Sequence, residues 1–284
     1  MKLRVLTALV LIPPFALLIG WMPQSTSVQR LHELVYLAVV MALAELSYYE
    51  YLRLCRQAGW GAMGLAGYAG VAMLCFGQYA ELHTTIVPGA YVVSAVLLAL
   101  VAIPSAALRG ARDFSDAFTR SASTVFGVFY VGFLLSFLIP LRFRELEVGR
   151  RVTFFVLLVI YFGDVFAFAA GRTFGRRPLA PRLSPRKTVE GAVAGLVGSL
   201  LVAGLFEHWF WQTAGLKTAM LVGAWTALAG QLGDLVESGL KRAASVKDSG
   251  SLLPGHGGVL DRIDSVLFGV PMLWVAMAVA GLWR

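Results

Sequence analysis

Two pairs of acids open the chemical question. In "QLGDLVES" Asp234 and Glu237 stand three apart, and in "LDRIDS" Asp261 and Asp264 repeat that spacing. On a helix, residues i and i+3 share a face, so each pair aims its carboxylates one way. One pair closes a long apolar run and the other opens the next. A charged carboxylate within a bilayer costs roughly 2.5–3.5 kcal/mol on insertion scales, so several together need bases or a metal ion to compensate. Carboxylates clustered on helices beside a phosphate site are a usual way to hold Mg²⁺, which takes oxygen ligands and keeps some waters. Salt bridges would account for the same acids without metal, for instance Asp261 with Arg242 or Asp264 with Lys241. Asp164, in "YFGDVFAFAAGR", adds a further acid within two or three turns of the same membrane face.

Bases and glycines accompany the acids. "SPRKTVEG" and "KRAASVK" supply Arg186, Lys187, Lys241, Arg242 and Lys247. Around them stand Ser184, Thr188, Gly191, Gly255, Gly257 and Gly258. Backbone N–H groups at glycine turns, with hydroxyls and point charges nearby, cradle phosphate oxygens. Each basic run taken alone reads as an ordinary cytoplasmic anchor. His256, the one histidine in these loops, suits a general acid, a phosphate donor or a turn residue. His32, His83 and His208 fall near expected span ends and read as interfacial. The chain has no HExxH, no GxxxxGK[ST] and no GxSxG, which argues against a zinc hydrolase, a P-loop enzyme and a serine hydrolase.

The elements that must carry these residues are apolar. Of 284 residues, 58% are hydrophobic and 14% charged, in long apolar blocks instead of helical stripes. That pattern predicts an all-α polytopic integral membrane protein. Spans are expected near 5–22, 31–51, 61–80, 86–106, 121–141, 152–170, 189–207, 218–236 and 261–283, about nine transmembrane helices. "MKLRVLTALVLIPPFALLIGW" has the charge-then-apolar shape of a signal peptide but no small-x-small cleavage site, and is read as a retained first span kinked at Pro13-Pro14. Two regions are expected: an N-terminal transmembrane bundle over 1–150, with about five spans, and a catalytic transmembrane region over 151–284. Placing the N-terminus in the cytoplasm puts most Lys and Arg inside, although "LRFRELEVGRR" argues the other way. Whatever the orientation, the loops 171–188 and 238–258 are separated by two spans and must emerge on one side. In "GAVAGLVGSLLVAGLF", Gly191, Gly195 and Gly198 let a neighbouring helix approach closely. Cys55 and Cys75 lack any metal-ligand spacing and read as free thiols.

Residues 238–264 read S-x-L-K-R, four residues, K-D-x-G, then L-P-x-H-G-G-V-x-D-R-I-D. This stretch closely resembles the signature of the phosphatidate cytidylyltransferases, or CDP-diacylglycerol synthases. "GDVFAFAAGRTFGRR…LSPRKTVEG" is similar to a second stretch common in that family. The resemblance implies a membrane enzyme joining CTP to phosphatidate, with CDP-diacylglycerol and pyrophosphate as products. It also implies Mg²⁺, with or without a second cation, and often a homodimer, with no nucleic acid partner. Its setting would be the bacterial inner membrane, with the active site facing the cytoplasm. Phosphatidate, a phosphate monoester with a second pKa near 6, is largely a dianion at neutral pH and needs no strong general base. Charge repulsion with the triphosphate is the barrier, and metal ions and Lys/Arg clamps relieve it. On this reading Asp234, Asp261 and Asp264 are metal ligands and catalytic. Lys241, Arg242, Lys247, Arg186 and Lys187 bind the triphosphate or the lipid phosphate. Ser184, Thr188, Ser238, Asp248, Gly257, Gly258 and Arg262 complete the substrate site, and His256 helps pyrophosphate leave. The alternatives are an ion or solute transporter using Asp164, Asp234 and Asp264 as a path, or a transferase for another lipid phosphate. A CDP-alcohol phosphotransferase is disfavoured because its D-G-x-x-A-R pattern is missing.

Overall fold

The computed structural model describes residues 13–23, 25–84, 88–212, 214–253, 255 and 257–283. After a helical stretch at 13–20 come α1 (Thr26–Gln57), α2 (Gly64–Glu81), α3 (Ala90–Gly110), α4 (Phe114–Phe143) and α5 (Leu146–Phe174). A hairpin of β1 (Pro178–Ala180) and β2 (Ser184–Thr188) follows, then α6 (Val189–Trp211), α7 (Leu216–Ala243) and α8 (Leu260–Val279). Seven of these helices, all but α2, are long and apolar enough to cross a membrane among the described residues. The chain is an all-α polytopic membrane protein. The expected span near 61–80 coincides with α2; of the expected span near 5–22, residues 5–12 lie outside the described residues and 13–20 are helical.

Local sequence explains several helix starts. Ser25, Asp113 and Thr188 each place a side-chain oxygen on an otherwise unpartnered N–H, those of Val28, Asp116 and Gly191. α4 contains a π-helical turn at Val128–Phe133, and α6 ends in another at Glu207–Trp211.

The chain divides into two compact units, one comprising Met1–Arg144 with Ala243–Arg262 and the other Glu145–Arg242 with Ile263–Arg284. In the first, Tyr36, Tyr48, Tyr51, Leu74, Val128 and Val131 are buried. Gly67 makes room for Tyr48 and Gly127 for Tyr51, since a Cβ at either would strike the ring. Arg142 is fully buried. Its guanidinium donates to the Ile19 carbonyl at 2.9 Å and the Trp21 carbonyl at 2.8 Å, tying the end of the 13–20 helical stretch to α4. Cys55 and Cys75 are free and buried, as their isolation in the sequence suggests.

The second unit is built on the α5–α6 pair. A Cβ on Gly195 would meet the Ala167 Cβ at 2.9 Å and the Gly163 carbonyl at 3.0 Å. Ser199 donates to the Val159 carbonyl at 2.8 Å. The small residues of α6 therefore serve close packing, as their spacing predicts.

Candidate active site

In the second unit, the β-hairpin is antiparallel, pairing Pro178 with Thr188 and Ala180 with Ser184. Glu190, in the first turn of α6, accepts the N–H groups of Arg176 and Arg177 at 3.0 and 3.2 Å. These bonds fix the loop after α5 against the start of α6. The hairpin is also fastened to α7. Lys187 on β2 pairs with Asp234, and Arg242 donates to the Leu183 carbonyl at 3.1 Å. Within this unit, the segment 171–188 thus meets the end of α7.

Asp234, Glu237 and Asp264 converge there, each offering a carboxylate oxygen within 4.8 Å of the others. Gly233 permits this approach of α7 to α8: a Cβ at that position would lie 2.5 Å from the Asp264 carbonyl and 3.1 Å from the Phe268 ring. Glu237 is fully buried and pairs with Lys241 one turn on. The ion pairs here include Lys187–Asp234 and Lys241–Glu237. Three carboxylates against two ammonium groups favour a further cation. Oxygen donors from two packed helices suit a hard divalent ion, so the residues fit Mg²⁺. Asp164 lines a small cavity in the same unit with Gly163, Ser199 and Gln231. Ser238 is buried, whereas Arg186 and Arg242 are exposed.

Asp261, Gly257, Gly258, Lys247, Asp248 and Arg262 belong to the first unit. Asp261 Oδ2 accepts the N–H of Ser249 at 3.0 Å and of Gly258 at 2.8 Å. The turn between them contains Gly255 and Gly257, at φ of 78° and 83°, which an L side chain adopts only with strain. Leu253 N–H donates to the Gly257 carbonyl at 2.9 Å, closing the turn. Lys247, Asp248 and Arg262 are exposed. His256 lies outside the described residues.

Two residues stand beside these sites that are not among the site residues assigned on the family resemblance. Glu237 was visible as the i+3 partner of Asp234. Glu50, on α1, is fully buried against the glycine turn. Its only signal was an acid inside the apolar run "ALAELSYYEYL".

Residues 2–280 match the cytidylyltransferase family. The chain is 41% identical over 149 residues to the phosphatidate cytidylyltransferase of Bacillus subtilis (strain 168), covering 52% of this chain and 55% of that protein. It is 40% identical over 176 residues to phosphatidate cytidylyltransferase 4, chloroplastic, of Arabidopsis thaliana, covering 54% and 45%. It is 36% identical over 173 residues to the phosphatidate cytidylyltransferase of Thermotoga maritima, covering 59% and 63%. The chain spans about half the length of the curated relatives it matches.

Proposed function

The chain belongs to the cytidylyltransferase family, and from that premise we propose that it transfers the cytidylyl group of CTP to phosphatidate, releasing pyrophosphate and CDP-diacylglycerol. The observation that carries the reading is the Asp234, Glu237 and Asp264 cluster flanked by Lys187 and Lys241. This is the equipment for bringing two polyanions together. A phosphatidate oxygen attacks the α-phosphorus of CTP, the bond to the bridging oxygen breaks, and that oxygen leaves with pyrophosphate. The attacking dianion needs little proton removal, so the protein's work is charge neutralisation and alignment.

Asp234 and Asp264, with Glu237 beside them, would hold Mg²⁺, while Asp261, a ligand on the motif resemblance alone, would shape the glycine turn through its two backbone hydrogen bonds. When bound, the ion supplies charge neutralisation at phosphate oxygens. Lys187 and Lys241 would exchange their carboxylate partners for phosphate oxygens. Arg186 and Arg242 reach the triphosphate or lipid phosphate from the exposed rim, with Lys247 and Arg262 serving the glycine turn. Ser184, Thr188, Ser238 and Asp248 complete the substrate contacts, and His256 assists pyrophosphate departure. The enzyme would work as a homodimer in the bacterial inner membrane, its site open to the cytoplasm for CTP. No observation favours the transporter reading.

The test is pyrophosphate release from purified protein with each nucleoside triphosphate, with and without phosphatidate and Mg²⁺. Release should require CTP, phosphatidate and Mg²⁺ together, and chelation should abolish it. Equal release without phosphatidate would overturn the proposal.

A further inference from the structure

Glu50 stands out among the buried ionisable groups because its carboxylate bonds to Ser249, Val259 and Leu260, which belong to one distant segment of the chain. It is 0% exposed, on a helix that is otherwise largely apolar. A carboxylate so placed is retained only if hydrogen bonds replace its water. Oε1 accepts the Val259 N–H at 3.0 Å. Oε2 accepts the Leu260 N–H at 2.8 Å and the Ser249 hydroxyl at 2.9 Å. The Val259 and Leu260 N–H groups lie at the start of α8, where helix geometry leaves donors without intrahelical partners and favours negative charge.

Asp261 grips the same two points. It takes the N–H of Ser249 and of Gly258, so Ser249 is held through its hydroxyl by Glu50 and through its N–H by Asp261. The two ends of the loop 249–260 are thereby pinned together by two carboxylates. The glycines confirm the fit. A Cβ on Gly250 would lie 2.8 Å from the Glu50 Cδ, and one on Gly258 would lie 2.7 Å from it.

We propose that Glu50 is a positioning residue for the glycine turn that carries Gly257, Gly258 and Asp261, setting that loop's geometry from α1 without touching substrate. The proposal rests on the cytidylyltransferase reading for its consequence in turnover, but the loop-holding itself does not. All three Glu50 partners donate, so glutamine cannot replace it. Its amide nitrogen would face a backbone N–H.

Two measurements on the full chain in detergent or nanodiscs test this. Hydrogen exchange should show the amides of 249–260 opening about tenfold faster or more in Glu50→Gln, the order expected for losing hydrogen bonds to a charged acceptor, with α2 to α6 unchanged. Steady-state kinetics should show kcat per folded molecule falling by a similar factor, with a smaller change in the phosphatidate KM. The milder Ser249→Ala, which removes one of the three bonds, should shift both readouts the same way to a smaller extent. Wild-type exchange across 249–260 in Glu50→Gln would overturn the proposal. So would faster exchange throughout the protein in both variants, or loosened exchange with an unchanged kcat, since Glu50 would then serve only the fold. If wild-type protein forms no CDP-diacylglycerol, the function fails, while the exchange result still decides whether Glu50 holds the loop.

Discussion

Asp261 and Asp264 are three residues apart, yet their surroundings divide their work. Asp264 joins Asp234 and Glu237, whereas Asp261 holds two backbone N–H groups of the glycine turn. Asp264→Asn and Asp234→Asn should each lower kcat at least about a hundredfold, the scale of losing an electrostatic stabiliser, with an unchanged unfolding temperature. Asp261→Asn should lower activity and also loosen exchange across 249–260. An Asp264→Asn protein with normal turnover would remove that residue from the site. Gly258 gives a steric test at the same scale. Ala there would drive its Cβ into Ser249 and the Glu50 carboxylate. Gly258→Ala should destabilise the loop by about 1–3 kcal/mol, the usual cost of overpacking, read as increased protease cleavage between 249 and 260.

At the scale of elements, close helix approach decides where the acids can meet. α5 and α6 touch along Gly163, Gly195 and Gly198, and α7 meets α8 at Gly233. A leucine in place of Gly195 would have to displace Ala167 and the Gly163 backbone. Gly195→Leu should therefore lower thermal stability by about 1–3 kcal/mol, measured as a reduced melting temperature in detergent. Gly215→Ala makes a useful contrast. Nothing lies within 4 Å of its Cβ, but its φ of +78° makes any loss purely conformational. The hairpin is a second positioning element. Its Lys187 reaches Asp234 because Thr188, Glu190 and Arg242 fix both ends of the strand pair.

For the molecule as a whole, the segment Ala243–Arg262 groups with the N-terminal unit although it follows α7 in sequence. α1 thereby becomes part of the support for a motif that sequence places in the C-terminal half. Topology offers a direct check. Both native thiols are buried, while Ser251 is exposed in the motif loop. Ser251→Cys should react with a membrane-impermeant maleimide in inverted inner-membrane vesicles and stay unreactive in intact spheroplasts. The reverse pattern would place the loop outside.

Composition and apolar block length alone established an all-α membrane chain, because a bilayer accepts backbone only when its polar groups are satisfied within helices. The i, i+3 spacing also singled out the pairs Asp234–Glu237 and Asp261–Asp264, since that rule reads faces directly from sequence. A face has no partner written into it, however. Lys241 with Glu237 is an i, i+4 pair on one helix, but that Lys187 of the hairpin pairs with Asp234 and that Glu237 joins Asp264 follow from tertiary packing. Glu50 is the extreme case. It bonds to Ser249 across 199 positions of sequence, a contact for which no local pattern exists. Only the tertiary structure brings α1 to the glycine turn, because a buried carboxylate must find its donors wherever packing supplies them.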